Sequence, residues 1–128
     1  MTITKFEDLE IWKAAREICK KIRSIAENTK LEKDFSLKDQ VIRSSGSIMD
    51  NVAEGFERDG KKEFVQFLSI AKASCGETRS QVHRIFDAGY ISEEKHQELF
   101  EDCTSLSAQI AGFIKYLNRS EYQGIKRK

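Results

Sequence analysis

The chain has 128 residues, enough for one domain whose folding buries roughly two-thirds of the surface the unfolded chain exposes. Apolar residues make up 39% and charged residues 34%, a balance that excludes a disordered polyelectrolyte and suits a globular core. Lys and Arg number 22 against 21 Asp and Glu; with a net charge of +1, any attraction for nucleic acid must come from a local patch.

Four stretches carry apolar residues at alternating steps of four and three. This is the 3.5-residue seam along which helices pack about 20° off antiparallel. The first is Ile11, Ala15, Ile18, Ile22 and Ile25, and it predicts a helix over 7–29 entered through a capping box at Thr4–Glu7. The second is Leu37, Val41, Ser45, Ile48 and Val52, a helix over 37–55 with a weaker box at Ser36–Asp39 and Gly55 as its stop. The third runs from Phe64 through Leu68, Ala71, Cys75, Thr78 and Val82 to Ile85, a helix over 61–88. The fourth, Leu99, Cys103, Leu106, Ile110, Phe113 and Leu117, predicts 92–118, with Ser92 as cap and Glu93 and Glu94 at its positive end. Asp59–Gly60 and Gly89 mark turns, and no proline interrupts any segment. Short links make successive helices antiparallel neighbours. The expected fold is therefore one all-α domain over 1–128, an up-down-up-down four-helix bundle, with 119–128 fraying as a basic tail.

No stretch approaches the length of a signal-peptide core or a membrane span, and a cytoplasmic protein is expected. Cys19, Cys75 and Cys103 are odd in number and contain no CxxC pair, which favours reduced, buried thiols over a disulfide framework or a zinc site.

Some helices carry more apolar surface than one stripe. Trp12, Cys19, Ala26, Ile42, Met49, Phe56, Phe100 and Ile114 flank the seam and can simply widen it. Ser69, Ile70, Ala73 and Gly76 are different, because they lie on the side of the third helix turned away from the seam. Small residues around one Ile there suit a closely approaching second copy, so a homo-oligomer contact is expected.

Several apparent chemistries fail on inspection. Gly55–Lys62 resembles a phosphate-binding loop, but it lacks the hydroxyl after the lysine and the strand before it. Glu93–His96 contains a single Glu-x-x-His step where a di-iron bundle needs two and further glutamates. His83 and His96 read as structural. Ser44, Ser45 and Ser47 have no nucleophile elbow and read as small residues that let helices approach. Neither catalytic residues nor cofactor or metal ligands emerge, and a small-molecule substrate is not expected.

Glu54 and Glu77 read as structural ion-pair residues, with Arg43, Arg58 and Arg79 as available partners. The local basic groups are Lys20, Lys21 and Arg23; Arg58, Lys61 and Lys62; and Arg119, Lys126, Arg127 and Lys128. Interleaved with acids in one chain, they become a phosphate-binding surface if an assembly repeats them around an axis. No aromatic residue is interleaved with them in sequence, which argues against base stacking. The candidate partners are therefore a second copy and RNA or DNA; the alternative is a scaffold that docks a protein.

Three blocks are familiar in combination: Phe6-Glu-Asp-Leu-Glu-Ile-Trp-Lys-Ala-Ala15, Asn51-Val-Ala-Glu-Gly-Phe-Glu-Arg58 and Phe67-Leu-Ser-Ile-Ala-Lys-Ala-Ser-Cys-Gly-Glu77. Over about 6–117 the chain resembles the four-helix-bundle proteins encoded in intervening sequences of bacterial 23S ribosomal RNA genes, which often carry a ribosomal-protein-like label. The resemblance implies a homopentameric, barrel-like ring. It also implies that Ala53-Glu54-Gly55 and Ser74 with Glu77 serve fold or assembly and form no catalytic centre. The chain is similar as well to accessory proteins of diversity-generating retroelements, which bind nucleic acid through basic surfaces and partner a reverse transcriptase.

Overall fold

The computed structural model describes residues 3–120. A 3-10 turn at Phe6–Asp8 leads into α1 (Glu10–Asn28); a second at Lys30–Lys33 leads into α2 (Phe35–Glu57), followed by α3 (Lys61–Asp87) and α4 (Glu93–Arg119). No strand occurs among the described residues. The four helices form an all-α four-helix bundle, and no helix among the described residues is long and apolar enough to cross a membrane. The expected tail beyond Ser120 lies outside the described residues; Arg119 itself ends α4.

The seam positions of all four helices form one core. Ile18 and Ile22 of α1, Ile48 and Val52 of α2, Leu68 and Val82 of α3, and Leu106 and Ile110 of α4 are all buried. Phe113 is the exception in the predicted stripe. It is half-buried, with its edge against Phe64 at 5.6 Å and its face stacked on exposed Tyr116 at 5.9 Å. Of the flanking residues, Ala26 and Phe56 are fully buried, while Trp12, Ile42, Met49 and Ile114 pack at the core's margin.

Helix entries differ from the sequence expectation in two places. No side chain caps α1: Leu9 is its N-cap and is itself buried, and Phe6 packs on Trp12 at 5.3 Å between ring centroids. Apolar anchoring thus displaces the capping box at Thr4–Glu7, and Glu7 ends up in the 3-10 turn. At α2 the cap is Asp34 instead of Ser36. Its carboxylate accepts from the Leu37 N–H at 3.4 Å and also from the Tyr90 hydroxyl at 2.9 Å, tying the start of α2 to the α3–α4 turn. At α4, Ser92 caps as the sequence predicts, accepting from the Lys95 N–H at 3.1 Å.

Gly55 corrects a third expectation. It does not end a helix but lies buried inside α2, where a Cβ would come 2.7 Å from the Phe67 Cβ and 3.0 Å from Phe64 Cδ1. The contact fixes how closely α2 and α3 approach. The turn itself falls at Gly60, whose φ of 94° suits a residue without a side chain.

The serines of α2 do more than stay small. Ser44 Oγ donates to Gln81 Oε1 at 2.6 Å and lies 2.8 Å from Thr78 Oγ1; Ser47 Oγ meets Ser74 Oγ at 2.9 Å. These α2–α3 bonds satisfy polar groups inside the bundle, and no buried side-chain N or O among the described residues lacks a partner. A buried hydroxyl left unpaired costs about 1–3 kcal/mol, so the pairing constrains register as well as contributing stability. Gly55→Ala should lower unfolding stability by about 1–3 kcal/mol through overpacking, measured by urea denaturation. Gly112→Ala, where nothing lies within 4 Å of the new methyl, should leave stability unchanged or raise it by up to about 1 kcal/mol in the same assay.

Candidate nucleic-acid interface

The predicted basic residues separate into two kinds once their neighbours are known. Those of α1 are neutralised locally. Lys20 Nζ sits 3.1 Å from Glu17, Arg23 pairs with Glu27 at 3.6 Å, and Lys21 Nζ lies 2.7 Å from both Glu98 and Asp102 of α4. Arg58 is likewise held by Glu54 at 3.2 Å and Glu63 at 3.8 Å, with its guanidinium 5.0 Å above the Phe67 ring. That stacking was invisible in the sequence, where the basic groups stand apart from aromatics.

Lys61, Lys62 and Arg119 are the second kind. No carboxylate among the described residues lies within ion-pair distance of them. The edge contact of Phe64 on Phe113 joins the first turn of α3 to the last turns of α4. Lys61 and Lys62 open α3 and Arg119 closes α4, so all three belong to the helix ends that this contact joins. Lys126, Arg127 and Lys128 lie outside the described residues.

Glu54 pairs with Arg58, whereas among the described residues no arginine lies within ion-pair distance of Glu77, which accepts from Gln81 Nε2 at 3.5 Å. Its proposed partners are engaged elsewhere: Arg43 with Asp39 at 2.9 Å, and Arg79 over the Phe100 ring at 6.0 Å. One helical turn separates Arg43 from Asp39, so the local pair forms at little entropic cost.

The cysteines are free. Cys75 and Cys103 are buried, and Cys75 Sγ donates to the Cys103 carbonyl at 3.2 Å. The neighbouring Cys75 sulfur and burial hold the Cys103 thiol far above the ordinary thiol range, and burial raises Cys19. The hydrogen bond with Cys103 lowers Cys75, so it is Cys19 and Cys103 that stay protonated and are poor nucleophiles and metal ligands. What the sequence reading missed is the meeting of the two histidines: His83 Nδ1 lies 3.0 Å from His96 Nε2 across α3 and α4.

With the geometry in view, comparison with known proteins is informative. The sequence profile of the 23S rRNA-intervening sequence protein family matches residues 7–112. The chain belongs to that family. Among solved structures it is similar to a protein with unknown function from the S23 ribosomal protein family of Bacteroides thetaiotaomicron, at a TM-score of 0.74 and 22% identity, covering 82% of this chain and 98% of the other. That likeness establishes the fold. No curated protein matches.

The Lys21 clamp gives this family member a defined pH signature. Hydrogen bonds from Lys21 and then Lys95 hold Glu98 below the usual carboxylate range, while those to Asp102 and Glu98 raise Lys21. A depressed carboxylate contributes stability above its unfolded pKa and loses it as pH falls through the folded one. A raised lysine contributes below its unfolded pKa and loses that contribution as pH rises through its own folded value. Lys21→Met should therefore cost about 0.5–1 kcal/mol between about pH 5 and 10, the modest figure of a part-exposed pair. The difference should vanish on acidification below about pH 4, as read by urea denaturation across pH.

Proposed function

We propose that this protein is a non-enzymatic cytoplasmic component that assembles into a homopentameric ring and binds RNA or DNA through the basic region at the start of α3 and the end of α4. The observation carrying the nucleic-acid reading is the set of un-neutralised cations Lys61, Lys62 and Arg119. A phosphate contact requires a cation whose charge is not already spent on a neighbouring carboxylate, and these three meet that requirement where Lys20, Lys21, Arg23 and Arg58 do not. Repetition around a ring multiplies three such contacts into an extended anionic-polymer surface.

The up-down-up-down antiparallel order is supported by the partners that α2 and α3 share. From Ser44–Gln81 through Ser47–Ser74 to Phe56–Phe64, the numbers rise on one helix and fall on the other. Assembly is supported by the outer face of α3. Ser69 and Ala73 are exposed, Gly76 has open space where a Cβ would stand, and Ile70 leaves 49% of its surface to solvent in the single chain. A face of small residues around one aliphatic side chain lets a second backbone come close. Membership of the 23S rRNA-intervening sequence family is compatible with an RNA ligand. The second reading, a protein-docking scaffold, is favoured by Phe35, which is 72% exposed at the start of α2.

Retention on mixed RNA across a salt gradient separates the two readings. Replacing Lys61, Lys62 and Arg119 by Gln should weaken binding and flatten the log-affinity against log-salt slope by about 2, with helicity unchanged; an unaltered slope removes this patch. Lys20→Gln should leave the slope as it is. Ile70→Glu should shift the mass measured by light scattering toward the monomer, and an unchanged mass counts against this face of α3.

A further inference from the structure

The chain has two histidines, thirteen positions apart, and folding brings their rings together. His83 leaves α3 one turn before its end and His96 enters α4 in its first turn. The turn between them is closed by Gly89 at a φ of 81° and by the Ser92 cap, so the helix ends carrying the two rings are held in place. The rings are also held by aromatic contacts. His96 lies on Phe86 at 4.2 Å with planes 10° apart, and His83 packs against Phe100 at 5.6 Å. Among the described residues, each imidazole has the other as its hydrogen-bond partner, and neither is bonded to a carboxylate or a main-chain carbonyl.

We propose that His83 and His96 form a two-imidazole site for one divalent transition-metal ion, binding Cu(II) more tightly than Ni(II) or Zn(II). The separation carries the argument. Two donors at about 2.0–2.1 Å from one ion stand about 2.9 Å apart at a right angle and about 3.4 Å apart at the tetrahedral angle. The observed 3.0 Å falls inside that interval, close to the cis geometry that tetragonal Cu(II) prefers. In the empty pair one facing nitrogen carries a proton. When the ion enters, that proton moves to the outward nitrogen of the same ring, His83 Nε2 or His96 Nδ1, and the charge of the ring does not change. Neutral imidazoles exclude Mg(II) and Ca(II), which take oxygen donors. No group of three or more His, Cys, Asp and Glu gathers for a metal among the described residues, so this site supplies two donors and leaves the remaining positions to water or to a donor from another molecule. His83 is exposed and His96 half-buried, which keeps those positions open. Metal-binding histidines usually gain affinity from a carboxylate on the far nitrogen. Stacking of His96 on Phe86 and the tilted contact of His83 with Phe100 orient these rings instead, and the affinity expected is in the micromolar range.

The test titrates the untagged full-length protein with CuCl2, NiCl2, ZnCl2 and MgCl2 in a non-coordinating buffer, followed by calorimetry and by the thermal midpoint. One ion per chain is expected, Cu(II) tightest and Mg(II) silent, with His83→Gln and His96→Gln each lowering affinity about tenfold or more because the second donor binds intramolecularly. Cys19→Ser should change nothing. As a readout that needs no variant, sub-stoichiometric Cu(II) should broaden the ring signals of both histidines before any other resonance. Absence of binding at about 1 mM metal, binding that survives both histidine substitutions, or ring signals untouched by Cu(II) would overturn the site.

Discussion

The closeness of α2 to α3 is the constraint on which the remainder of the bundle depends. Gly55 brings the α2 backbone to the side chains of Phe64 and Phe67, and about two to three turns away the hydroxyls of Ser44, Ser47, Ser74 and Thr78 meet across the same interface. Apolar packing tolerates small slips, because dispersion forces have no preferred direction. A run of hydroxyl pairs does not, since a slip breaks the directional Ser44–Gln81 and Ser47–Ser74 bonds between the helices. The glycine sets distance, the hydroxyls set register, and the outer face of α3 is presented at a fixed height as a result.

Charge is organised on the same plan. Most cations of α1, and Arg58 of the α2–α3 turn, are matched within their own helix or by the facing one, including the Lys21 clamp that reaches Glu98 and Asp102 of α4. A nearly neutral chain can still present a local positive surface where cations stand beyond ion-pair distance of its acids. Lys61, Lys62 and Arg119 are three such cations, and they belong to helix ends that the Phe64–Phe113 contact brings together.

Much of the fold was legible because the seam has a period. Every seam residue assigned to the first three helices is buried, and a 4-3 spacing sustained over several heptads leaves little freedom about which side faces inward. What escaped was decided by tertiary contacts. Thr4 and Glu7 have the chemistry of a cap, but the buried Leu9 and the Phe6–Trp12 contact position the entry to α1. Gly55 resembled a stop because glycine is a weak helix former; only the nearness of Phe67 reveals why it stays inside. Among candidate site residues, charge type was readable while charge pairing was not, since Lys21 and Asp102 lie 81 positions apart. The histidines were likewise judged helix by helix, and their meeting spans two helices.

Asp34 has a consequence that reaches beyond capping. One carboxylate receives the first free amide of α2 and the phenol of Tyr90, whose own ionisation it opposes. The start of α2 and the Tyr90 loop, 56 positions apart in sequence, thus share a single anchor at this tip of the molecule. Opening of the Tyr90 loop therefore withdraws a partner from the carboxylate that caps α2, so the two segments are coupled at this tip through one side chain.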